Sequence, residues 1–218
     1  MFDIKGKVAV ITGGYGVLGA SMARCLAKLG VHVAIVGRKP EKGEPLAAEL
    51  SEIGAEAIFC QADVLDREAL VAARETIVAK WGHIDVLINA AGGNMPGATI
   101  MPDKSFLDID FSAFNGVMNL NLIGTVIPTV VFGEQMGKQK KGSIINISSM
   151  TAQSVVTRVV GYSASKAAKS MSRKLLSGII VAPGILPPAA LISTSMCPHF
   201  ATIFSRAATI ASRSSTSA

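Results

Sequence analysis

Short apolar runs alternate with longer segments of helical spacing over the first two thirds of the chain. Five runs are predicted strands, because each is short, rich in β-branched residues and bounded by turn-forming residues. They are Lys7–Thr12, Val31–Gly37, Glu56–Gln61, Asp85–Asn89 and Gly142–Ser148. The helical pattern covers Val17–Leu29, Glu44–Ile53, Asp66–Trp81 and Phe111–Gln135. This alternation predicts a single α/β domain of three layers, with a doubly wound parallel sheet between helices.

Two segments depart from this alternation. The Gly- and Pro-rich connection over residues 90–110 is too long for an idle loop, so it is expected to contact a ligand. After Ala168 the sequence lacks acidic residues, is rich in Ser, Ala and Thr, and has poor periodicity. We therefore predict a folded unit at residues 1–168 and an atypical segment at residues 169–218, poorly ordered or divergent.

The composition is that of a folded protein: half of the 218 residues are hydrophobic and 17% are charged, which excludes disorder for the whole chain. No uninterrupted apolar run reaches the length of a membrane span, and the N-terminus lacks the apolar core of a signal peptide. We expect a cytoplasmic protein without a membrane partner. The three cysteines and three histidines are scattered, so neither a disulfide nor a metal site is predicted.

The net charge of +6 is unevenly distributed. Residues 1–134 hold 11 basic and 15 acidic side chains, whereas residues 135–218 hold 10 basic and no acidic ones. A basic region can bind nucleic acid, but only Lys138, Lys140 and Lys141 are clustered here, and no aromatic series accompanies them. We therefore expect no nucleic-acid partner and interpret the three lysines as a solvated turn.

Glycines lie between the first predicted strand and the first helix, in the segment TGGYGVLG at residues 12–19. Glycines at such a junction let the backbone approach a pyrophosphate and aim helix N-terminal amides at it. The spacing Gly14-x-Gly16-x-x-Gly19 matches the dinucleotide fingerprint, with an ordinary glycine-rich turn as the alternative. The predicted cofactor-binding residues of this loop are Gly13, Gly14, Tyr15, Gly16 and Leu18.

The end of the second strand, which should meet the adenosine ribose, carries Gly37 and Arg38 instead of an acidic residue. An acidic residue would accept from the 2′-hydroxyl, whereas a guanidinium can pair with a 2′-phosphate. A solvated surface arginine is the alternative reading of Arg38. Because Gly37 leaves room and Arg38 supplies positive charge, we predict that NADP(H) is preferred as cofactor and that NAD(H) is a second option.

Further candidate cofactor contacts follow the third and fourth strands. Asp63, with Val64 beside it, can accept hydrogen bonds from an adenine amino group. The small residues Ala91 and Gly92, after Asn89, let a ribose lie against the chain. A turn-capping aspartate and a tight glycine turn are the ordinary alternatives.

The segment YSASK places Tyr162 and Lys166 four residues apart, on one face of a helix. An ammonium near a phenol stabilises the phenolate and lowers its pKa from about 10 towards the working range of a general acid/base. Ser149, at the end of the fifth strand, offers a hydroxyl that can hold a carbonyl oxygen. Asn121 lies in the preceding helix.

Together these motifs resemble those of the short-chain dehydrogenase/reductase family over residues 3–168. The resemblance rests on TGGYGVLG, the Asp63-Val64 pair, NAAG, NLIGT, ISS and YSASK, in order and at family-like spacing. The family pattern TGxxxGxG would place glycine at position 17, where this chain has Val17. This variant, with the segment NAAGGNMP that begins at Asn89, is most similar to the sugar-acid branch of D-mannonate oxidoreductases.

The resemblance implies a Rossmann-type fold and an oxidoreductase that moves hydride between NADP(H) and a secondary alcohol or ketone, such as mannonate and fructuronate. It implies that Tyr162 is the general acid/base, that Lys166 lowers its pKa and holds the nicotinamide ribose, and that Ser149 orients the carbonyl. Asn121 is implied to bind, through its backbone, a water leading to the lysine. The implied partners are a small-molecule substrate and, if the C-terminal helix forms, further copies in a homodimer or homotetramer.

After Lys166 the chain departs from the family pattern. The family helix continues for several turns before a sixth strand, a Pro-Gly turn and a lid, but here Ile179–Val181 and the turn Ala182–Gly184 come early. We expect the helix to end near Ser177, without a normal lid after it. Such a tail is typical of a frame-shifted or truncated reading, with a divergent lid as the alternative. Two further hypotheses stay open: a catalytically impaired nucleotide-binding fragment and a 3-ketoacyl-type reductase.

Overall fold

The computed structural model describes residues 3–154, 156–180 and 193–194, of which 171–180 and 193–194 are described by their backbone alone. The strands are β1 Val8–Thr12, β2 His32–Gly37, β3 Ala57–Gln61, β4 Val86–Asn89, β5 Ser143–Ile147 and β6 Ser193–Thr194. The helices are α1 Val17–Lys28, α2 Pro40–Glu52, α3 Arg67–Trp81, α4 Phe111–Met118, α5 Gly124–Gln139 and α6 Val160–Ile180. The five predicted strands are therefore confirmed to within one residue at each end.

The strands form one parallel sheet in the order β3-β2-β1-β4-β5-β6. Strand β1 is central and buried along its whole length, and its Ile11 pairs with Ile35 of β2 and Ile88 of β4. The strand order reverses between β1 and β4. At such a switch point the loops at the carboxyl ends of the strands diverge and leave a crevice where ligands bind. The predicted doubly wound, Rossmann-type fold is confirmed.

Helices cover both faces of the sheet because each strand alternates its buried side chains between two cores. On one face, Val8 and Val10 pack with α3 and α5, whose core residues include Ile77 and Phe132. On the other face, Ile11 and Ile35 pack with the small residues of α1 and with Leu50 of α2. Burying an Ile, Leu or Phe side chain contributes about 1.5–3 kcal/mol, so these two clusters fix the sheet that positions the loops at its carboxyl edge.

A π-helical turn, Asn119–Ile123, joins α4 to α5 and makes one continuous helical segment from Phe111 to Gln139. Among the described residues it is the one segment whose length and mean hydropathy, 1.5 over its most apolar stretch, would allow it to cross a membrane. It is not an uninterrupted apolar run, because Asn119 and Asn121 lie within it. Core helices of globular proteins have the same composition, and Phe132 of this segment lies in the core.

Helix α2 begins at Pro40, four residues before the predicted start at Glu44. Proline is well suited to the first helical position, because its fixed φ is helical and its missing N–H would have no intrahelical partner there. The predicted start at Glu44 was therefore wrong by four residues.

Helix α6 continues to Ile180, three residues beyond the predicted end near Ser177, so Ile179 and Ile180 are helical and not the start of a strand. The strand that pairs with β5 is instead β6, with Asn146 opposite Ser193 and Ile147 opposite Thr194. The predicted Pro-Gly turn, Ala182–Gly184, and most of the atypical segment lie outside the described residues. The division of the chain at residue 168 stays a prediction.

Candidate active site

Close backbone contacts account for two glycines of the loop between β1 and α1. Gly13 has a φ of +64°, and a Cβ there would lie 2.8 Å from the Cα of Ala91. A Cβ on Gly19 would overlap the carbonyl oxygen of Gly13. The loop is also tied to β2, because the Gly13 N–H donates to the Val36 carbonyl oxygen at 2.8 Å. It therefore lies flat against the carboxyl ends of the central strands, at the switch point.

Helix α1 leaves its first-turn amides available to a ligand. Its N-cap is Gly16, no side chain caps the helix, and the first turn contains no acidic residue. The first amides of a helix have no intrahelical acceptor, and the positive end of the helix dipole favours an anion. This donor set fits the pyrophosphate of a dinucleotide. The half-exposed Leu18 lies in the same turn, so the structure brings the predicted loop residues together.

The Tyr15 side chain covers Gly37 at the end of β2. A Cβ on Gly37 would overlap the Tyr15 ring, and the ring also lies against Phe59, with centroids 6.4 Å apart. The Tyr15 hydroxyl accepts from the backbone N–H of Arg38 at 3.1 Å and of Lys39 at 3.2 Å. From the sequence, the small residue at position 37 was expected to leave room for the cofactor. Here that room is filled by the chain's own tyrosine.

The Arg38 guanidinium is two-thirds exposed and lies 3.6 Å from the Asp63 carboxylate. Both residues follow the carboxyl ends of neighbouring strands, β2 and β3, which explains why they meet. An exposed ion pair of this length contributes little to stability, about 0–1 kcal/mol. The guanidinium is therefore free to exchange this partner for a stronger anion.

Asp63 and Val64 both have structural partners in the turn after β3. The Asp63 Oδ1 accepts from the Leu65 N–H at 2.9 Å, so the turn-capping role considered from the sequence is present. Val64 is buried, and its Cγ2 would lie 2.8 Å from a Cβ on Gly124, at the start of α5. The valine side chain thus packs under the loop and fixes the backbone beside Asp63.

Asn89, at the end of β4, has its side chain buried and directed into the protein. Its Nδ2 donates to Thr129 Oγ1 of α5 and to Asn146 Oδ1 of β5, both at 2.9 Å. The following residues form the exposed surface of the loop, where Ala91 is half-buried and Gly92 is exposed. Of the three candidates after β4, Ala91 and Gly92 are therefore the ones at the crevice.

Asn121, in the π-helical turn, clamps the loop after β4 to helix α6. Its Oδ1 accepts from the Gly93 N–H, and its Nδ2 donates to the Gly93 carbonyl oxygen and to Ser165 Oγ, all at 2.9–3.0 Å. Ser165 in turn donates to the Tyr162 carbonyl oxygen at 2.8 Å. The sequence indicated only a backbone role for Asn121. The side-chain clamp, with Ser165 as its link, was not found from the sequence.

Lys166 is 5% exposed and lies beside Tyr162 on α6. Its Nζ is 5.5 Å from the centroid of the Tyr162 ring and donates to the Ile147 carbonyl oxygen at 3.1 Å. A Cβ on Gly92 would lie 3.5 Å from the same nitrogen. Burial lowers the pKa of Lys166 to about 8. An ammonium, a half-buried phenol and an exposed glycine surface therefore meet at the mouth of the crevice.

Ser149 follows β5 and caps the short helical turn Met150–Ala152. Its Oγ accepts from the Thr151 N–H at 3.2 Å and from the Thr151 hydroxyl at 3.0 Å. This turn packs against α6, the helix that carries Tyr162 and Lys166. With two hydrogen bonds accepted, the serine hydroxyl keeps its own proton available for donation.

Lys169 is a buried basic residue that the sequence analysis did not select. It is 1% exposed, and its Nζ donates to the Asn89 carbonyl oxygen at 3.2 Å. Burial, and then the neighbouring charge of Lys166, lower its pKa well below the usual value. A signal was present in the sequence, because Tyr162, Lys166 and Lys169 recur at helical spacing and so share one face.

The parallel sheet and the glycine loop at its switch point define a Rossmann-type fold with a crevice that fits a dinucleotide. The family model for short chain dehydrogenases matches residues 7–178, and the chain belongs to this family. The family uses NAD or NADP. The family assignment made from the motifs is thus confirmed.

Three similar proteins illustrate the range of this family. The uncharacterized oxidoreductase UxuB of Bacillus subtilis is 43% identical over 173 residues, covering 76% of this chain and 62% of its own. A fatty acyl-CoA reductase of Acinetobacter baylyi is 35% identical over 179 residues, which cover 82% of this chain and 59% of the reductase. A Haemophilus influenzae structure described as a D-mannonate oxidoreductase with bound NAD is 36% identical and has a TM-score of 0.75. The match covers 81% of this chain and 67% of the chain in that structure. The chain thus spans about 60% of the length of the curated relatives it matches.

Proposed function

We propose that the chain interconverts a secondary alcohol and a ketone with NADP(H) as the hydride carrier, and that its substrate is a sugar acid of the mannonate and fructuronate type. The observation that carries this proposal is the buried Lys166 ammonium beside both the Tyr162 ring and Gly92. In that position the ammonium can stabilise the Tyr162 phenolate and donate hydrogen bonds to a ribose that lies over Gly92. Family membership supports the reaction class.

The proton chemistry follows from the residues at the mouth of the crevice. When bound, the nicotinamide supplies the hydride for ketone reduction and accepts it in alcohol oxidation. The Tyr162 hydroxyl donates its proton to the carbonyl oxygen in reduction, and the phenolate takes a proton from the alcohol in oxidation. The Lys166 ammonium stabilises the phenolate by its charge. The Ser149 hydroxyl donates to the same carbonyl oxygen and orients it.

Asn121 contributes in two ways to this arrangement. Its carbonyl oxygen accepts from Thr125 Oγ1 at 2.8 Å and has a second lone pair, which can hold a water on the path that reprotonates Tyr162 by way of Lys166. Its side chain fixes Gly93 and Ser165, and so sets the position of α6 against the loop after β4. The second contribution makes Asn121 a positioning residue as well as a site for the proton relay.

The preference for NADP(H) is supported by the charge at the end of β2. The two residues directly after this strand, Arg38 and Lys39, are basic, and the exposed Arg38 guanidinium can pair with a 2′-phosphate through charge-assisted hydrogen bonds. The exposed Asp63 pair is weak enough to be exchanged for a phosphate. The NAD in the Haemophilus influenzae structure is bound to that protein. The cofactor preference of this chain is tested by measuring its affinities for NADPH and NADH.

The proposed substrate class is supported by likeness to the D-mannonate oxidoreductase structure, and it is tested by turnover. We would follow NADPH consumption by absorbance with D-fructuronate, with D-fructose as the matched sugar that lacks the carboxylate, and with acetoacetyl-CoA. Turnover of fructuronate well above that of fructose is expected. Turnover of acetoacetyl-CoA alone would assign the chain to the 3-ketoacyl-type reductases. Tight NADPH binding without turnover would favour the impaired nucleotide-binding fragment.

We also propose that the chain works in the cytoplasm as a homodimer or homotetramer. Apolar side chains on the α4–α5 segment support self-association, because Phe111 is 70%, Val130 46% and Ile123 40% exposed in the single chain. Exposed apolar groups on one segment are typical of an interaction surface. Light scattering gives the molar mass in solution, and a monomer at all concentrations would contradict this part of the proposal.

A further inference from the structure

The hydroxyl of Tyr15 is held in an unusual way at the end of β2. It accepts two hydrogen bonds, from the backbone N–H groups of Arg38 and Lys39. A phenol oxygen has one proton to donate and about two acceptor sites. With both acceptor sites used by the backbone, only the proton of Tyr15 is left for a ligand. Two donors on one oxygen also polarise the O–H bond and strengthen its donation.

The tyrosine is fixed in this position by its neighbours. Its ring fills the space beside Gly37, where no other residue type would leave room for it, and lies against Phe59. Phe59 is held in turn by Gly43 of α2, because a Cβ on that glycine would overlap the phenylalanine ring. The hydroxyl is therefore a preformed donor and not the end of a freely rotating side chain.

The donors around the hydroxyl favour a ligand that accepts, once Arg38 exchanges Asp63 for that ligand. The Arg38 guanidinium, which follows Gly37, has only donors, and the carboxylate nearest to it, Asp63, is 3.6 Å away and also accepts from the Leu65 N–H. A ribose 2′-hydroxyl would have no acceptor on Tyr15 for its proton. A 2′-phosphate, with three acceptor oxygens and a negative charge, matches a guanidinium and a polarised phenol together.

We infer that Tyr15 is a specificity-determining residue that donates a hydrogen bond from its hydroxyl to the 2′-phosphate of the cofactor, alongside Arg38. This inference rests on the proposed use of NADP(H) and adds a second, neutral ligand to that phosphate. It also explains why glycine precedes Arg38: the glycine makes room for the tyrosine that completes the site.

The test uses two nucleotides that differ only in the 2′-phosphate, adenosine 2′,5′-bisphosphate and adenosine 5′-monophosphate, titrated into the full chain by calorimetry. The parent should bind the bisphosphate more tightly. Tyr15→Phe keeps the ring over Gly37 and removes only the hydroxyl, so it should weaken bisphosphate binding by about 5- to 20-fold. Binding of the monophosphate should change by less than about twofold, because it lacks the phosphate that the hydroxyl would contact, and the Arg38 and Lys39 N–H groups left by the hydroxyl are exposed and can bind water.

Two further variants separate the hydroxyl from other causes. Thr76→Val is the matched control, because it also removes one hydroxyl, which donates to the Ala72 carbonyl oxygen on the exposed face of α3, so both nucleotides should bind as in the parent. Gly37→Ala keeps the Tyr15 hydroxyl but displaces the ring, so it should lose the bisphosphate preference as Tyr15→Phe does. A circular dichroism spectrum unchanged from that of the parent establishes that each variant is folded.

The outcomes distinguish this inference from the cofactor proposal. A bisphosphate preference that survives Tyr15→Phe but is lost in Arg38→Ala overturns the role of Tyr15 and leaves the NADP(H) proposal standing. Bisphosphate binding that becomes tighter in Tyr15→Phe shows that the hydroxyl competes with phosphate for the two amides, which also overturns the inference. Equal binding of the two nucleotides by the parent overturns the cofactor proposal and, with it, the role of Tyr15.

Discussion

The Lys166 ammonium lies 5.5 Å from the centroid of the Tyr162 ring and donates to the Ile147 carbonyl oxygen while only 5% of the lysine is exposed. A lysine in this position is costly, because burial penalises its charged form and lowers its pKa from 10.5 to about 8. The arrangement places a destabilising charge beside the phenol that the proposed mechanism converts to a phenolate. Stability and the proposed chemistry therefore make opposite demands on this residue.

Lys166→Met should stabilise the chain at neutral pH while abolishing turnover. Below pH 8 the folded chain carries the full cost of the buried charge, so the variant should gain about 1–3 kcal/mol in unfolding free energy at pH 7. Between about pH 8 and 10.5 the folded chain releases this proton before the unfolded chain does, so the parent gains stability and the difference should shrink. Urea unfolding at pH 7 and above pH 10 measures both effects.

The matched control for this variant is Lys104→Met, at an exposed lysine in the connection after β4. It should change the unfolding free energy by less than about 0.5 kcal/mol at either pH. If Lys166→Met destabilises the chain at pH 7 by as much as an ordinary core substitution, burial of the ammonium does not destabilise the parent.

Arg38→Ala should reduce the preference for NADP(H) over NAD(H) by about 1–3 kcal/mol, the scale of a charge-assisted hydrogen bond to phosphate. The affinity for NAD(H) should stay nearly constant, since it lacks the phosphate. Fluorescence titration with NADPH and NADH measures both affinities. Arg24→Ala is the control, because Arg24 is a half-exposed arginine of α1 that pairs with Glu49 of α2. Equal affinities of the parent for the two cofactors would refute the assignment.

Gly13→Ala should destabilise the chain and prevent cofactor binding. The residue has a φ of +64°, and its new Cβ would lie 2.8 Å from the Ala91 Cα, a backbone atom that cannot move aside. A loss of about 2–4 kcal/mol in unfolding free energy is expected. Gly6→Ala is a close control, because Gly6 has a φ of +73° and no atom lies within 4 Å of the new Cβ. This variant should lose only about 1 kcal/mol in unfolding free energy. Equal losses in the two variants would show that the contact with Ala91 is unimportant.

The fold was largely predictable because its strands are short, buried and rich in β-branched residues. The run Val8–Thr12 is apolar on both faces, as a central parallel strand has to be, and turn-forming glycines mark its end. The ends of helices were less predictable. A proline such as Pro40 can be the first residue of a helix or can precede the helix. The apolar residues around Ile179 fit a helix as well as a strand. In both cases only the surrounding structure decides which conformation forms.

The site was predictable where a residue acts through its type and spacing, and not where it acts through a partner distant in sequence. Tyr162 and Lys166 are four residues apart and share a helix face, so their meeting follows from local geometry. The contact between Tyr15 and Gly37, by contrast, joins the glycine loop to the end of β2, and the clamp from Asn121 to Ser165 joins the π-helical turn to α6. No local pattern encodes these contacts, because they depend on how the loops and helices lie against the sheet.

The most direct test of the proposed function compares the parent chain with Tyr162→Phe in the reduction of fructuronate by NADPH. The parent should turn over, and the variant should lose about 100- to 10,000-fold in rate while its NADPH affinity changes by less than about twofold, because only the proton-donating hydroxyl is removed. A variant that retains activity within tenfold of the parent, or a parent that binds NADPH but shows no turnover, would contradict the account.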